Sequence, residues 1–368
     1  QTTAIPDKMM RGLRQGQKRP RLQRGGHVMK GSGKKINIKK LSELSGFSPA
    51  TVSNALNKKR GVNPATAEQI VRLAQENGYI SQSKVKSIRV VTYRDSGEVF
   101  SDSPFFSILL ESVENESRKC GYETSIINLY RRHADYEERI KSILNDTSSG
   151  VLLVGTELTE ETARPFQEAS LPLVLLDAWL PHLAFNAVLM DNEGGAAAAV
   201  EHLIAHGHSR IGYLSGGLRI QNFQARERGF RRTMEAHGLP VEERFFLEVP
   251  PSIQGAHERL LQILSEKREM PTAFFADNDM IALGAMQAFQ ANGWHLPEDI
   301  SIVGFDDISF GEVFSPGLTT IRVHKKELGR LAVKRLIELI KKPQTVKTRI
   351  ETVNDLIVRG SVTAPSDR

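Results

Sequence analysis

At 368 residues and 40% apolar content, the chain has material for the cores of two or three domains. No apolar run approaches the roughly 20 residues of a membrane span, and Cys120 is the single cysteine, which excludes intrachain disulfides and cysteine-cluster metal sites. The formal charge of +6 is unevenly placed: residues 1–60 hold 15 of the 49 Lys and Arg but 2 of the 43 Asp and Glu, a net of +13, leaving −7 on the remainder.

A cationic head on an acidic body suits phosphate neutralisation by the head alone. Residues 1–35 are rich in Arg, Lys, Gln and Gly and carry no helical or strand period, so they read as a disordered basic extension. They contain no apolar signal-peptide run, Met29 reads as a natural start, and a cytoplasmic location is the default expectation.

From residue 36 a helical pattern begins. Ile38, Leu41 and Leu44 form a narrow apolar stripe that Gly46 ends. Phe47 packs the corner, Ser48 is a good N-cap, and Pro49 suits the first helical position. The second helix buries Val52, Ala55 and Leu56. Pro49, Ala50, Thr51, Ser53, Asn54 and Asn57 are left outside, with Lys58, Lys59 and Arg60 beside them. A short helix with a small, hydrogen-bonding outer face suits the DNA major groove. Asn63 and Pro64 start a third helix with Ala67, Ile70, Val71 and Ala74 inward, which Gly78 stops. Polar residues 81–87 read as a short linker or hinge.

Beyond Ile88, short β-branched or Leu-rich runs alternate with amphipathic helices. Strands are expected at Ile88–Tyr93, Thr124–Leu129, Val151–Val154, Leu173–Leu176, Ile211–Leu214, Phe245–Val249, Ala273–Phe275 and Ile302–Phe305. Helices are expected at 105–120, 134–145, 159–169, 193–206, 222–237, 253–267, 278–292 and 325–341, with Gly121, Gly207, Gly238 and Gly293 as stops. Such alternation means parallel sheet flanked by helices, and its length calls for two α/β lobes. Ligands bind such sheets beyond the C-terminal strand ends. Asp177, Asp277, Asn278, Asp279, Asp306 and Asp307 stand there, Arg226 lies early in a helix, and Phe105, Phe106, Trp179 and Phe223 lie near other junctions. Carboxylates, an Asn and an Arg fix hydroxyls, while flat aromatics cover an apolar sugar face. Asp279 and Asp307 read as caps or lobe-packing residues.

Residues 36–80, with Thr51-Val52-Ser53 in the second helix, resemble the headpiece of the lactose/galactose repressor family of bacterial transcriptional regulators. The body resembles that family's effector domain, which is similar to periplasmic sugar-binding proteins. Its marks are Met190-Asp191-Asn192, Gly207-His208-Ser209-Arg210-Ile211, Pro297-Glu298-Asp299-Ile300-Ser301-Ile302-Val303-Gly304-Phe305-Asp306-Asp307 and Leu318-Thr319-Thr320. The resemblance implies an N-terminal all-α helix-turn-helix headpiece (36–80) on a two-lobed α/β effector-binding and dimerisation body (88–368).

The resemblance implies DNA contacts at Ser48, Pro49, Ala50, Thr51, Ser53, Asn54, Asn57, Lys58, Lys59 and Tyr79. The family's usual arginine falls on Asn54, and Asn prefers adenine where Arg reads guanine. Effector contacts would be Phe106, Asp177, Arg226, Phe275, Asn278 and Asp306. The family's hinge helix carries a leucine wedge; here the run is shorter, and Val85 and Ile88 are the apolar side chains that could serve.

The implied function is a repressor that binds a palindromic double-stranded DNA operator as a homodimer under control of a small molecule, a sugar or sugar derivative. Nothing implies a cofactor, a membrane partner or an enzyme. His202, His206 and His208 lack a completing acid or cysteine for zinc, and no nucleophile elbow occurs. The alternative is a soluble sugar-binding protein whose basic head adheres to nucleic acid nonspecifically.

Overall fold

The computed structural model describes residues 37–57, 61–76, 85–100, 103–167, 169, 171–343 and 346–366. The basic extension, Lys58, Lys59, Tyr79 and residues 81–84 lie outside the described residues. The chain divides into two compact units, residues 1–79 and 80–368.

The first unit contains α1 (Ile38–Ser45), α2 (Pro49–Leu56) and α3 (Pro64–Glu76). Asn37 caps α1 by accepting from the Lys40 amide at 2.9 Å, and Gly46 ends it at φ 73°, a left-handed conformation open to a residue without Cβ. Leu41, Val52, Ala55, Ile70 and Ala74 meet in the small core. Leu44 does not join them; it is 44% exposed, one residue before the helix ends.

The second unit runs in chain order β1 (Ser87–Arg94), α4 (Pro104–Lys119), β2 (Glu123–Tyr130), α5 (Tyr136–Asn145), β3 (Ser149–Val154), α6 (Glu160–Gln167), β4 (Leu173–Leu176), β5 (Ala187–Met190) and α7 (Asn192–Ala205). It continues β6 (Ile211–Gly216), α8 (Gln221–Ala236), β7 (Phe246–Val249), α9 (Ile253–Ser265), β8 (Ala273–Ala276), α10 (Asp279–Ala291), β9 (Ser301–Asp306) and α11 (Phe310–Val313). It closes with β10 (Thr319–Arg322), α12 (Lys325–Lys341), β11 (Arg349–Thr352) and β12 (Asp355–Ile357). All eight expected strands and all eight expected body helices are present, β4 and α12 with the expected bounds and the others shifted; Phe245 belongs to a short 3-10 turn instead of β7. Strands β5, β10, β11 and β12 were not anticipated.

Two six-stranded sheets result, ordered β11-β5-β4-β3-β1-β2 and β12-β10-β9-β8-β6-β7. Every pairing is parallel except β10 with β12. Alternate side chains face opposite layers, as strand geometry requires. Leu152 and Val154 of β3 pack toward α4 and α12, while Val151 and Leu153 join Ile140, Ile143 and Phe166 from α5 and α6. In the second lobe Phe275 faces the α7–α8 layer and Phe274 the α9–α10 layer. Both faces being covered, strands such as β3 are buried throughout.

The chain crosses between the lobes three times: from β5 to α7, from β10 to α12, and from β11 to β12. Asn354 Nδ2 on the last crossing donates to the Asp191 carbonyl on the first at 2.7 Å. On the middle crossing, buried Lys325 donates its ammonium to the main-chain oxygens of Asp306 and, at 3.3 Å, Asp307. Val85 and Ile88 are buried in the first lobe's core, so neither can serve as the minor-groove wedge, and Ser87 already belongs to β1. Among the described residues no helix is long and apolar enough to cross a membrane.

Candidate functional site

On the headpiece, Val52 and Ala55 turn inward and fix the outward side of α2. Ser48, Pro49, Ala50 and Asn57 are exposed; Thr51, Ser53 and Asn54 are partly so. The Ser48 hydroxyl accepts from the Thr51 amide at 3.1 Å and lies 2.9 Å from the Thr51 hydroxyl, so the N-cap also orients Thr51. Asn57 Nδ2 donates to the Ser53 carbonyl at 2.8 Å, closing the last turn. The Asn54 side chain makes no hydrogen bond among the described residues.

In the body, the C-terminal ends of the strands and the starts of the following helices form a narrow cavity of about 20 Å³ between the lobes. The first lobe supplies Val99, Ser103, Phe105 and Phe106 at the start of α4, with Thr156 and Asp177 beyond β3 and β4. The second supplies Ile220, Asn222, Phe223 and Arg226 from α8 and its approach, Asn278 at the N-cap of α10, and Asp306 at the end of β9. Phe106 packs on Phe100 at 4.2 Å with the rings tilted by 39°, and meets Phe105 edge-on at 5.1 Å, forming an apolar wall.

Opposite that wall is a buried polar network. Asp177 accepts from the Thr156 hydroxyl at 2.5 Å and from Asn222 Nδ2 at 2.9 Å, the latter joining the two lobes directly. Asn192 Nδ2 donates to Asn222 Oδ1 at 3.2 Å, and Asn192 Oδ1 accepts from Arg226 Nε at 2.9 Å. Arg226 Nη1 donates to the Asp277 carbonyl at 2.5 Å, and its guanidinium lies 3.7 Å above the Phe305 ring. Its Nη2 is 3.5 Å from Asp306 Oδ1, an ion-pair distance without a hydrogen bond; that oxygen is buried and unpartnered among the described residues.

Asp177 and Asp306 hold φ of 60° and 115°, conformations that L residues adopt rarely and that recur where a side chain must point into a site. Burial pushes the Asp177 carboxyl up to about 7, opposed by its Thr156 bond and Arg226 and reinforced by Asp306. Burial likewise raises Asp306, with Arg226 and Lys325 pulling it back. Asp277 goes up to about 6 through burial, moderated by Arg219 and the Tyr213 hydroxyl, and Asp279 to about 8 through burial and then Asp306. Asp279 accepts from Thr320 at 2.5 Å and the Ile308 amide at 2.8 Å, and Asp307 pairs with Arg322 and Arg359 at 2.7 and 2.6 Å. These two are packing residues of the second lobe, as read from the sequence.

Five of the six expected effector residues therefore converge: Phe106, Asp177, Arg226, Asn278 and Asp306. Phe275 does not line the cavity. It lies inside β8, fully buried, its ring edge-on to Tyr213 at 5.6 Å, because strand parity turns it toward the α7–α8 layer. Trp179 is also outside the lining and carries Arg349 over its ring at 5.1 Å. Thr156, Asn192 and Asn222 were missed. Asn222 stands four residues before Arg226 on the same helix face, a spacing that could have identified it. Of the three histidines, His208 binds Thr272 and the Thr363 carbonyl, His206 binds the His202 carbonyl, and the His202 ring packs on His206 at 4.4 Å.

Helices α7 and α8, which carry Asn192 and Arg226, touch through Gly229. A Cβ there would lie 2.9 Å from Ala196 Cβ and 3.0 Å from Glu193 Cα.

Comparison with known proteins agrees with this architecture. A family model described as a periplasmic binding protein-like domain matches residues 200–362. The transcriptional repressor PurR of Vibrio parahaemolyticus is 33% identical over 332 residues, covering 88% of this chain and 98% of the relative, and that of Pasteurella multocida is 32% identical over 330 residues, with the same coverage. Among solved structures, the lac repressor dimer bound to operator and an anti-inducer superposes with a TM-score of 0.67 at 25% identity, over 90% of this chain and all of that one. A regulator CelR in complex with cellobiose gives a TM-score of 0.69 at 24% identity, over 89% of this chain and all of that one, which speaks to the fold.

Proposed function

Because the chain belongs to the lactose/galactose repressor family of bacterial transcriptional regulators, we propose that it grips a palindromic operator as a homodimer and is controlled by a sugar or sugar derivative bound between its lobes. Residues 36–80 read the DNA; residues 88–368 sense the ligand and pair with a second copy. The observation that carries the effector reading is the cleft itself, where Asp177 and Asp306 from opposite lobes face one cavity beside a phenylalanine wall. Hydroxyl groups would satisfy the orphaned Asp306 oxygen, and the aromatic faces would cover a sugar's C–H surface. Exposed Phe310 and Val313 on α11, 47% and 79% accessible, support a partner surface. Acting on DNA places the protein in the cytoplasm, and the reading assigns it no catalytic step.

Control requires the ligand to prefer one lobe arrangement by roughly 1–3 kcal/mol. The test is operator binding by the full chain, with effectors found by a melting-point screen. Arg226→Ala should keep operator binding and lose the ligand response. Thr51→Ala with Asn54→Ala should lose the specific footprint while the body melts normally. Specific binding should exceed random-sequence binding by on the order of 10³. Equal binding to operator and scrambled duplex, with folding intact, would instead favour the nonspecific sugar-binding protein.

A further inference from the structure

We propose that Lys325, the first residue of α12, is a positioning residue of the cleft: its buried ammonium clamps the Asp306–Asp307 turn from behind and holds the Asp306 carboxylate in the cavity wall. The consequence for ligand binding rests on the cleft being the effector site; the clamp itself does not.

Strand β9 runs out into two successive residues with positive φ, 115° at Asp306 and 51° at Asp307. Such a pair is unfavourable for residues with a Cβ and persists only where its surroundings hold it. An ammonium has three donors, and here it meets three main-chain oxygens, those of Asp306, of Asp307 at 3.3 Å and of Val323 at 3.4 Å. Asp306 therefore turns its carbonyl to Lys325 and its carboxylate to the cavity, beside Arg226. The Asp307 carboxylate is held separately by Arg322 and Arg359 at 2.7 and 2.6 Å. Lys325 is the one side chain bonded to the Asp306 carbonyl among the described residues. Without the ammonium the turn can relax toward negative φ, which re-aims the carboxylate.

The first lobe anchors the clamp. The first turn of α12 is tied to α4: the Ser112 hydroxyl donates to the Lys326 carbonyl at 2.5 Å, and a Cβ on Gly329 would lie 3.0 Å from the Leu109 carbonyl oxygen. The Lys325 ammonium also lies 5.9 Å from the centre of the Phe105 ring, part of the cavity wall. One side chain thus joins a first-lobe helix to the turn that aims a second-lobe carboxylate. Burial opposes the Lys325 charge, and Asp306, Asp279 and Asp307 sustain it. Packing alone would not call for a cation here, since methionine fills a similar space without desolvating one. The charge is explained by the three carbonyl oxygens that use it.

The test uses the full chain carrying Lys325→Met, or Lys325→Gln if the methionine variant does not fold. Hydrogen exchange, read by mass spectrometry on peptides covering residues 304–311, needs no ligand. The Asp307 and Ile308 amides, bonded to Thr320 and Asp279, should exchange roughly tenfold faster, while β1 and β3 keep the parent's rates. Unchanged exchange in the turn would overturn the clamp. So would faster exchange spread evenly over the body, which is what lost stability alone produces. Affinity is then measured by titration calorimetry for whichever of D-ribose, D-glucose, D-galactose, cellobiose, adenine and guanine raises the parent's melting point. Lys325→Met and Asp306→Asn should each weaken binding roughly tenfold, and the double variant no more than the worse single, because one residue acts through the other. Additive losses would overturn positioning through Asp306. No melting shift with any of these compounds would count against the effector reading and the ligand consequence together, while the exchange result still decides the clamp.

Discussion

Replacing Gly229 by alanine tests how tightly the effector site depends on the contact between α7 and α8. The added methyl would sit 2.9 Å from Ala196 Cβ and 3.0 Å from Glu193 Cα, and would overlap the Glu193 carbonyl oxygen. Carbon atoms pack best at about 3.5–4.0 Å, so the helices must separate by about an ångström. Overpacking of this kind costs about 1–3 kcal/mol. The bond from Arg226 Nε to Asn192 Oδ1, now 2.9 Å, spans the same two helices. Stretching a buried charge-assisted bond out of range adds about 1.5–3 kcal/mol, while alanine returns about 1 kcal/mol of helix propensity. The net loss is about 1.5–5 kcal/mol, which at about 2–4 °C per kcal/mol lowers the melting point by roughly 3–20 °C. Scanning fluorimetry measures it, and operator binding below the new midpoint should persist, since the headpiece is a separate unit. A midpoint within about 2 °C of the parent would show that the helices yield freely, and the argument from close approach would fail.

The buried acids make stability depend on pH in a definite direction. Asp177, Asp277 and Asp279 rise from 3.8 to about 7, 6 and 8, so between about pH 4 and those values the native state holds protons the unfolded chain has released. Stability therefore falls as pH rises through that window and levels off above it; melting points from pH 5 to 8 should decline, Asp279→Asn should flatten the slope, and a rising curve would contradict the assignment. Ser48→Ala removes the cap on α2 and the partner of the Thr51 hydroxyl, for about 1 kcal/mol or roughly a fivefold loss of operator affinity. Binding assays on the full chain check this, and an unchanged affinity would mean that the cap does not organise the recognition surface.

The sequence announced its long elements through their period. Strands such as β3 and β9 are buried on both faces and so read as unbroken apolar runs. Of the unanticipated strands, β5 carries that mark in Ala-Val-Leu-Met, while β10, β11 and β12 lack it. Edge strands β11, Arg-Ile-Glu-Thr, and β12, Asp-Leu-Ile, are short and partly polar; β11 pairs with distant β5, Arg349 opposite Ala187, and β12 rejoins β10 only after the chain has passed through the first lobe. In the site, Asp177 and Asp306 were legible because strand ends in parallel sheets converge on ligands. Phe275 misled for a local reason: it lies one residue inside the end of β8, where parity governs its direction. Leu44 keeps helical spacing yet stays open because a three-helix head has little interior to offer a residue at the helix end. Asn192 matters through a bond to Arg226 across 34 residues of chain, which no local pattern encodes.

Three crossings also constrain how the body is made. The first lobe needs α12 over its sheet and β11 at its edge, and both are translated after the second lobe's β10. Neither half can therefore mature while the ribosome is still at work, and the apolar face awaiting α12 must be kept from aggregation until the last helix emerges. A premature stop within α12 would yield two crippled halves instead of one sound domain.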